Sequence, residues 1–300
     1  MPDTTTFTSR ELFDPEFLDS LTRLHILARR VARSGRPAEQ RSRDMGSGVE
    51  FRDFRAYSAG DDFKSIDWTV YRRLGKVFLR LYEELEDLPV YLLLDRSRSL
   101  FEEETPRIRG GLRCALALAA ISLQQHDSVG LFPFAGRLET ALRPRSGKSR
   151  LFRFAETLAA MAPEDSTDFA KALQTFSGLR LRRGLCVIIS DFFDPAGIDR
   201  VVKALKTVRH RLLLVRLWRR TDQEPDLGGD FQLVDCETGT TEDVSATAAV
   251  MEAYRASYRR FDEGLTSFAR ERGAGMLLLD TDREVVPQLA TLFETGSYTV

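Results

Sequence analysis

Cysteine and histidine are scarce, with three of each among 300 residues. Cys114, Cys186 and Cys236 are odd in number, far apart and set in apolar segments, so neither a disulfide framework nor a zinc site is indicated and reduced core thiols are expected. His25, His126 and His210 stand alone on stretches of helical or helix-terminal character, and no Gly-x-Ser-x-Gly elbow occurs, which leaves no histidine-based or serine-based catalytic set. Long apolar runs are missing as well. Near Cys114 the longest stretch free of Asp, Glu, Lys and Arg ends at His126, short of the roughly 18 apolar residues of a membrane span. Met1 to Arg10 shows no basic-then-apolar pattern with a small-residue cleavage site, so a secretory signal is not expected and the cytoplasm is the default location. What is present, 43% hydrophobic and 30% charged residues, suits one large or two small domains with a substantial core.

The formal net charge of −1 hides an asymmetry. From Thr221 to Val300 there are 6 basic and 16 acidic side chains, a net of −10; the remaining 38 basic and 29 acidic give residues 1–220 a net of +9. Much of that excess is Arg23, Arg29, Arg30, Arg33, Arg36, Arg41 and Arg43, opposed within this stretch only by Glu39. Such a run can meet phosphate or an acidic surface. No aromatic residue interleaves with it as a nucleic-acid stacking platform requires, so a solvated arm or helix is the simpler reading and nucleic acid is the weaker one.

Apolar spacing over residues 11–32, preceded by Asp14 and Pro15, predicts an amphipathic helix. Residues 34–48 are rich in Ser, Gly, Arg and Pro and read as a linker. Val49 to Tyr57 and Lys76 to Tyr82 are strand-like, separated by turn-forming residues Ser58 to Asp67. From Pro89 onward, aliphatic runs alternate with amphipathic stretches. Strands are expected at 90–94, 128–134, 185–189, 211–217, 231–236 and 275–279, with an edge strand at 140–143; helices are expected at 108–125, 151–161, 169–176, 198–208, 250–272 and 284–293. This alternation predicts an α/β fold with a doubly wound, mostly parallel sheet. The expected division is residues 1–86 as a helix, basic linker and front section, and 87–300 as the sheet domain.

In open α/β sheets, ligands collect at the carboxyl ends of the strands. Three of those ends carry oxygen donors: Asp95-Arg96-Ser97-Arg98-Ser99 after one strand, Ser190-Asp191 after another, and Thr167-Asp168 before a helix. Each alone is ordinary helix-capping chemistry. Together they form a hard, all-oxygen set suited to Mg²⁺, with Mn²⁺ or Ca²⁺ as related occupants, and unsuited to softer metals.

The pattern Asp95-x-Ser97-x-Ser99, then Thr167, then Asp191 resembles the metal-ion-dependent adhesion site of von Willebrand factor A-type domains. Gly48-Val49-Glu50-Phe51, Arg55-x-Tyr57, Gly60-Asp61-Asp62, Ile66-Asp67-Trp68 and Arg73 resemble the signature of a bacterial family of von Willebrand factor A-like proteins named domain of unknown function 58. The resemblance runs from about residue 45 to near the end. Lys64, Arg72, Leu85-Glu86 and Leu100 depart from the family pattern, none of them at a metal position. Many relatives begin with membrane helices, which this sequence does not show.

The resemblance implies that Ser97, Ser99 and Thr167 coordinate the ion directly, that Asp95 and Asp191 act as outer or alternating ligands, and that an open position accepts an acidic residue from a protein partner. It further implies a MoxR-type AAA-plus ATPase as that partner. The expected function is therefore a non-enzymatic, metal-dependent protein-interaction module. One alternative is a metal-dependent phosphoester hydrolase with Asp95 as nucleophile or base. It has little support: Gly147-Lys148-Ser149 lacks the earlier P-loop glycine, Leu142 standing there, and Asp280-x-Asp282 is better explained as a turn. Another alternative is anion or nucleic-acid binding through the arginine-rich segment. A third makes the front section the functional surface. There, the bulk of Trp68 favours a core anchor, and Arg55, Asp61, Asp62, Asp67 and Arg73 are expected to form ion pairs joining the section to the sheet domain.

Overall fold

The computed structural model describes residues 7–34, 49–58, 61, 66–84, 88–164 and 167–294. It opens with α1 (Ser9–Leu12), α2 (Pro15–Ser34), β1 (Val49–Ala56), α3 (Trp68–Leu74) and β2 (Phe78–Glu84). Then follow β3 (Val90–Asp95), α4 (Ile108–Gln124), β4 (Val129–Phe134), β5 (Leu142–Arg145), α5 (Arg150–Ala159), α6 (Phe169–Gly178) and β6 (Leu185–Ser190). The last third contains α7 (Ile198–Leu205), β7 (Arg211–Trp218), α8 (Arg220–Gln223), β8 (Asp230–Val234), β9 (Thr241–Ser245), α9 (Ala248–Arg272), β10 (Gly275–Asp280) and α10 (Val285–Glu294). Two compact units result, one of residues 1–36 with 88–300 and the other of residues 37–87.

The larger unit is built on a six-stranded sheet in the order β10-β7-β6-β3-β4-β5. Every pairing is parallel except that of the short edge strand β5 with β4. Counted in the order the chain meets them, these strands lie 3-2-1-4-5-6, the doubly wound arrangement, and the order reverses between β3 and β6. The fold is a Rossmann-type α/β sheet. Its central strands are unbroken apolar runs because both faces are covered. Leu92, Leu94, Val187 and Ile189 face a core shared with α4, α5 and α10. Tyr91, Leu93, Cys186 and Ile188 alternate to the other face, against α6, α7 and α9. Gly111 of α4 lets that helix approach closely, since a Cβ there would stand 3.1 Å from the Leu217 side chain and 3.4 Å from that of Leu94.

The predicted N-terminal helix is present, but its place differs from the expected grouping with residues 1–86. It belongs to the sheet unit, packing on α4 and α10. Its apolar stripe supplies the reason: Leu12, Phe13, Phe17, Leu21 and Leu24 are buried in the core beside α4 and α10. Asp14 starts α2, its Oδ1 accepting from the Phe17 amide at 2.8 Å, with Pro15 at the first helical position. Arg113 of α4 donates from Nε to the Leu12 carbonyl at 2.9 Å and contacts the Asp14 carboxylate. Arg23, Arg29, Arg30 and Arg33 lie on α2, whereas Arg36, Arg41 and Arg43 fall outside the described residues, as does the linker 35–48.

The smaller unit pairs β1 with β2 antiparallel, with a bulge between Phe51 and Asp53. Between them lies α3, just after the turn-forming segment expected over Ser58 to Asp67, in residues for which no element was expected. Asp67, buried, caps it by accepting from the Thr69 and Val70 amides at 2.8 and 3.1 Å. Gly75 ends it in the left-handed region at φ 66°, as a helix C-cap requires. Trp68 is not a core anchor. It is 59% exposed and meets Tyr71 edge-on, because the first turn of the helix turns it outward. The Arg55 guanidinium donates to Asp61 Oδ1 at 2.6 Å, an ion pair inside the unit, and the Ser58 amide donates to Oδ2 at 2.8 Å. The Ser58 amide first, and Arg55 second, hold the Asp61 carboxyl below its usual range. Tyr57 is half-buried and Arg73 exposed; Gly60, Asp62 and Lys64 fall outside the described residues. Among the described residues no helix is long and apolar enough to cross a membrane.

The strand expected over residues 231–236 is β8, Asp230–Val234, and it is not one of the main sheet. β8 pairs with β9 as a separate antiparallel hairpin.

Candidate metal centre

The carboxyl ends of β3 and β6 lie side by side where the strand order reverses. Leu94 pairs with Ile189, which sets Asp95 beside Ser190. Asp95 is fully buried, and both carboxylate oxygens are held: Oδ1 accepts from the Ser97 amide at 2.9 Å and Oδ2 from the Ser190 hydroxyl at 2.6 Å. A 3₁₀ turn over Arg98–Leu100 brings the next two hydroxyls together, with Ser97 Oγ 3.2 Å from Ser99 Oγ.

Asp191 follows β6 directly and is buried, its Oδ1 accepting from the Phe193 amide at 3.0 Å. The chain turns there through Phe192, a buried non-glycine residue at φ 64°. Left-handed backbone at such a residue is strained, of order 1–3 kcal/mol, and persists where the surroundings fix it. Here the Phe192 amide donates to Ser190 Oγ at 2.8 Å, and its ring packs against Phe169.

The third loop is stitched alongside. Glu164 accepts at its carbonyl from the Arg98 amide at 3.1 Å and donates its own amide to the Arg96 carbonyl at 3.0 Å. The Arg96 guanidinium adds an ion pair to the Glu164 carboxylate at 2.8 Å. Three residues further on, the Thr167 hydroxyl donates to Glu237 Oε1 at 3.3 Å. Asp168 is a helix cap, its Oδ1 accepting from the Lys171 amide at 3.0 Å.

The site is acidic, and its two aspartates are buried. Burial raises the Asp95 carboxyl to about 6, with the charge of Glu237 adding to the effect against hydrogen bonds from Ser190 and Ser97. Burial and the neighbouring Asp95 charge raise Asp191 to about 7. Arg107 eases this, but its guanidinium is engaged by Glu103 and Asp222. Two buried carboxylates in adjacent strands are costly as a pair of anions and become favourable beside a cation.

The donor set fits a hard dication. All its atoms are oxygens, and the 3.2 Å between the serine hydroxyls is close to the separation of about 2.9 Å between adjacent ligands that a Mg–O distance of about 2.0–2.1 Å imposes on an octahedron. Among the described residues no group of three or more His, Cys, Asp or Glu is arranged to hold a metal, so an ion here would depend on the hydroxyls. Cys114 and Cys186 are buried in the core, where burial raises their thiols, and the half-buried Cys236, raised by burial and by nearby Glu102 and Glu237, lies next to Glu237 in the β8–β9 turn. His210 packs against Tyr91 and Phe176, and its Nδ1 accepts from the Gly184 amide at 3.3 Å.

Residues 53–263 match the family model described as "Protein of unknown function DUF58". The chain belongs to this family. The matched span runs from β1 into α9 and includes the Asp95, Thr167 and Asp191 loops. Curated relatives include the uncharacterized protein Rv1480 of Mycobacterium tuberculosis, 29% identical over 245 residues that cover 80% of this chain and 77% of that protein. The uncharacterized protein MAV169 of Mycobacterium avium is 32% identical over 123 residues, covering 41% and 72%. Among solved structures, BatB from Bacteroides thetaiotaomicron is 14% identical with a TM-score of 0.40, covering 71% of this chain and all of that one. Manganese-loaded TRAP from Plasmodium vivax is 19% identical with a TM-score of 0.32, covering 44% and 58%. These structural likenesses are remote, and the fold of this DUF58 chain rests on its own strand order.

One residue at the site escaped the sequence and another was seen without its role. Ser190 was read with Asp191 as a donor at the strand end, but not as the partner of Asp95. Glu237 gave no signal, lying 70 residues beyond Thr167 in a hairpin whose strands are mostly exposed.

Proposed function

We propose that this chain is a metal-dependent protein-interaction module. Ser97, Ser99 and Thr167 would hold a divalent cation, Mg²⁺ by its preference for oxygen and retained water, with Asp95 and Asp191 binding through water or alternating as ligands. The ion supplies a Lewis-acidic position for a carboxylate from a protein partner. The protein's own residues prepare that position: Ser190 and the Ser97 amide fix the Asp95 carboxylate, Arg96 ties the Glu164 segment to the β3 loop, and Phe192 aims Asp191. The family resemblance points to a MoxR-type AAA-plus ATPase as the partner. The observation that carries the reading is the meeting of Asp95, Ser97 and Ser99 with Asp191 at the topological switch point, the place where doubly wound sheets bind ligands.

Titration of the full chain with Mg²⁺ and Mn²⁺ by calorimetry tests it. One bound ion is expected, lost in Asp95→Ala and weakened in Thr167→Ala; unchanged binding in both variants overturns the reading. Affinity capture with Mn²⁺ and with EDTA then tests the partner, an AAA-plus ATPase recovered only with metal being the expected result. Phosphatase and nucleotide-hydrolysis assays separate this from a hydrolase, since metal-dependent turnover abolished by Asp95→Ala would favour the enzyme.

A further inference from the structure

The β8–β9 hairpin stands outside the six-stranded sheet. Its strands are mostly exposed, with Leu233 and Val234 turned to solvent. A two-stranded ribbon of this kind is marginally stable by itself, so its position depends on what its tip touches. The tip is well ordered chemically. Asp235 Oδ1 accepts from the Glu237 and Thr238 amides at 2.8 and 3.0 Å, the Gly239 amide closes onto the Asp235 carbonyl at 2.8 Å, and Gly239 takes φ 71°.

This turn delivers a half-buried Glu237 to the Thr167 hydroxyl, 3.3 Å away. The placement is electrostatically adverse as it stands. Burial raises the Glu237 carboxyl, with the charges of Asp235 and Asp194 adding to it against the hydrogen bonds from Thr167, and Glu237 in turn acts as a like charge on the buried Asp95. A carboxylate brought toward the buried Asp95 is disfavoured unless a cation lies between them. Hydroxyl, metal and approaching carboxylate are also the three parties expected at the open position of the site.

We propose that Glu237 is an internal carboxylate ligand that caps the cation at the position a partner's acidic residue takes, so that the β8–β9 hairpin is a strap to be displaced on docking. This inference rests on the metal-site reading above. An arriving partner then exchanges one carboxylate for another. That makes association selective for acidic groups that bind better than Glu237, and frees the hairpin as a consequence of docking.

The test uses the full chain and Mn²⁺ alone, with calorimetry, water-proton relaxivity and hydrogen exchange. In the wild type, Mn²⁺ should slow amide exchange over Asp230–Ser245. In Glu237→Ala, Mn²⁺ should bind about tenfold more weakly, hairpin exchange should no longer respond to the ion, and relaxivity should rise as water replaces the carboxylate. Glu237→Gln, close in shape and still able to accept from Thr167, guards against collapse of the turn and should follow the alanine variant in relaxivity. If the wild type binds Mn²⁺ while hairpin exchange and relaxivity match those of Glu237→Gln, the strap is overturned and the metal site stands. A wild type that takes up no Mn²⁺ overturns the site and the strap together.

Discussion

The Ser190 hydroxyl donates to Asp95 Oδ2 at 2.6 Å across the paired ends of β3 and β6. This bond stabilises the ionised form of a buried acid, and Ser190 receives the Phe192 amide in return. Ser190→Ala should therefore raise the Asp95 pKa further and leave the Phe192 amide without its acceptor. The expected cost is about 1–3 kcal/mol in urea unfolding, with weaker Mg²⁺ binding at neutral pH that partly recovers at higher pH. A variant matching the wild type in both would remove Ser190 from the site.

The raised Asp95 and Asp191 carboxyls make a pH prediction with a definite sign. Unfolded, each ionises near the ordinary value of about 3.9; folded, the pair keeps protons to about 6 and about 7. Between these limits the folded state binds more protons, so the pair's contribution to stability is present at low pH and lost as pH rises. With EDTA present, the wild type should lose stability relative to Asp191→Asn as pH rises from about 4 to about 7. Mg²⁺ should reverse the trend, since its ligands must be deprotonated, and its affinity should climb through the same interval. Thermal unfolding across pH, with and without the ion, reads both effects.

Arg113 clamps the start of α2 to α4 through the Leu12 carbonyl and Asp14, with the Phe17 ring 5.2 Å below its guanidinium carbon. Arg113→Met removes a charged donor from the buried Leu12 carbonyl and the partly buried Asp14 carboxylate, and should cost about 1.5–3 kcal/mol in urea unfolding. Hydrogen exchange should accelerate over α2 and stay unchanged in β3 and β6.

Trp68 and Leu79 make a contrasting pair in the smaller unit, one exposed and one buried. Trp68→Ala should shift stability by less than about 1 kcal/mol, whereas Leu79→Ala should cost about 2–5 kcal/mol. Equal losses in the unfolding of the two variants would contradict the outward placement of the tryptophan.

The strands of the main sheet were legible because burial on two faces leaves unbroken aliphatic runs such as Val90–Leu94 and Leu185–Ile189. Asp95 and Asp191 were legible as the first polar residues after those runs. What Trp68 touches was not, because aromatic bulk indicates burial only where the helix carrying it turns inward. The stripe on α2 showed that one face is covered without naming α4 and α10 as its cover. Glu237 lay beyond reach for a related reason: its meeting with Thr167 depends on the tertiary placement of an exposed hairpin, and hydrophobic periodicity carries no trace of that.

The core residues Leu12, Phe13, Phe17, Leu21 and Leu24 come from a stretch separated from β3 by the whole of residues 37–87. Trimming the chain back to residue 88 to isolate the sheet would strip five apolar side chains from its interior and bare the surfaces of α4 and α10. The excisable portion is the middle of the polypeptide. A bridge joining the end of α2 to the start of β3 is the engineering route to a minimal folded protein.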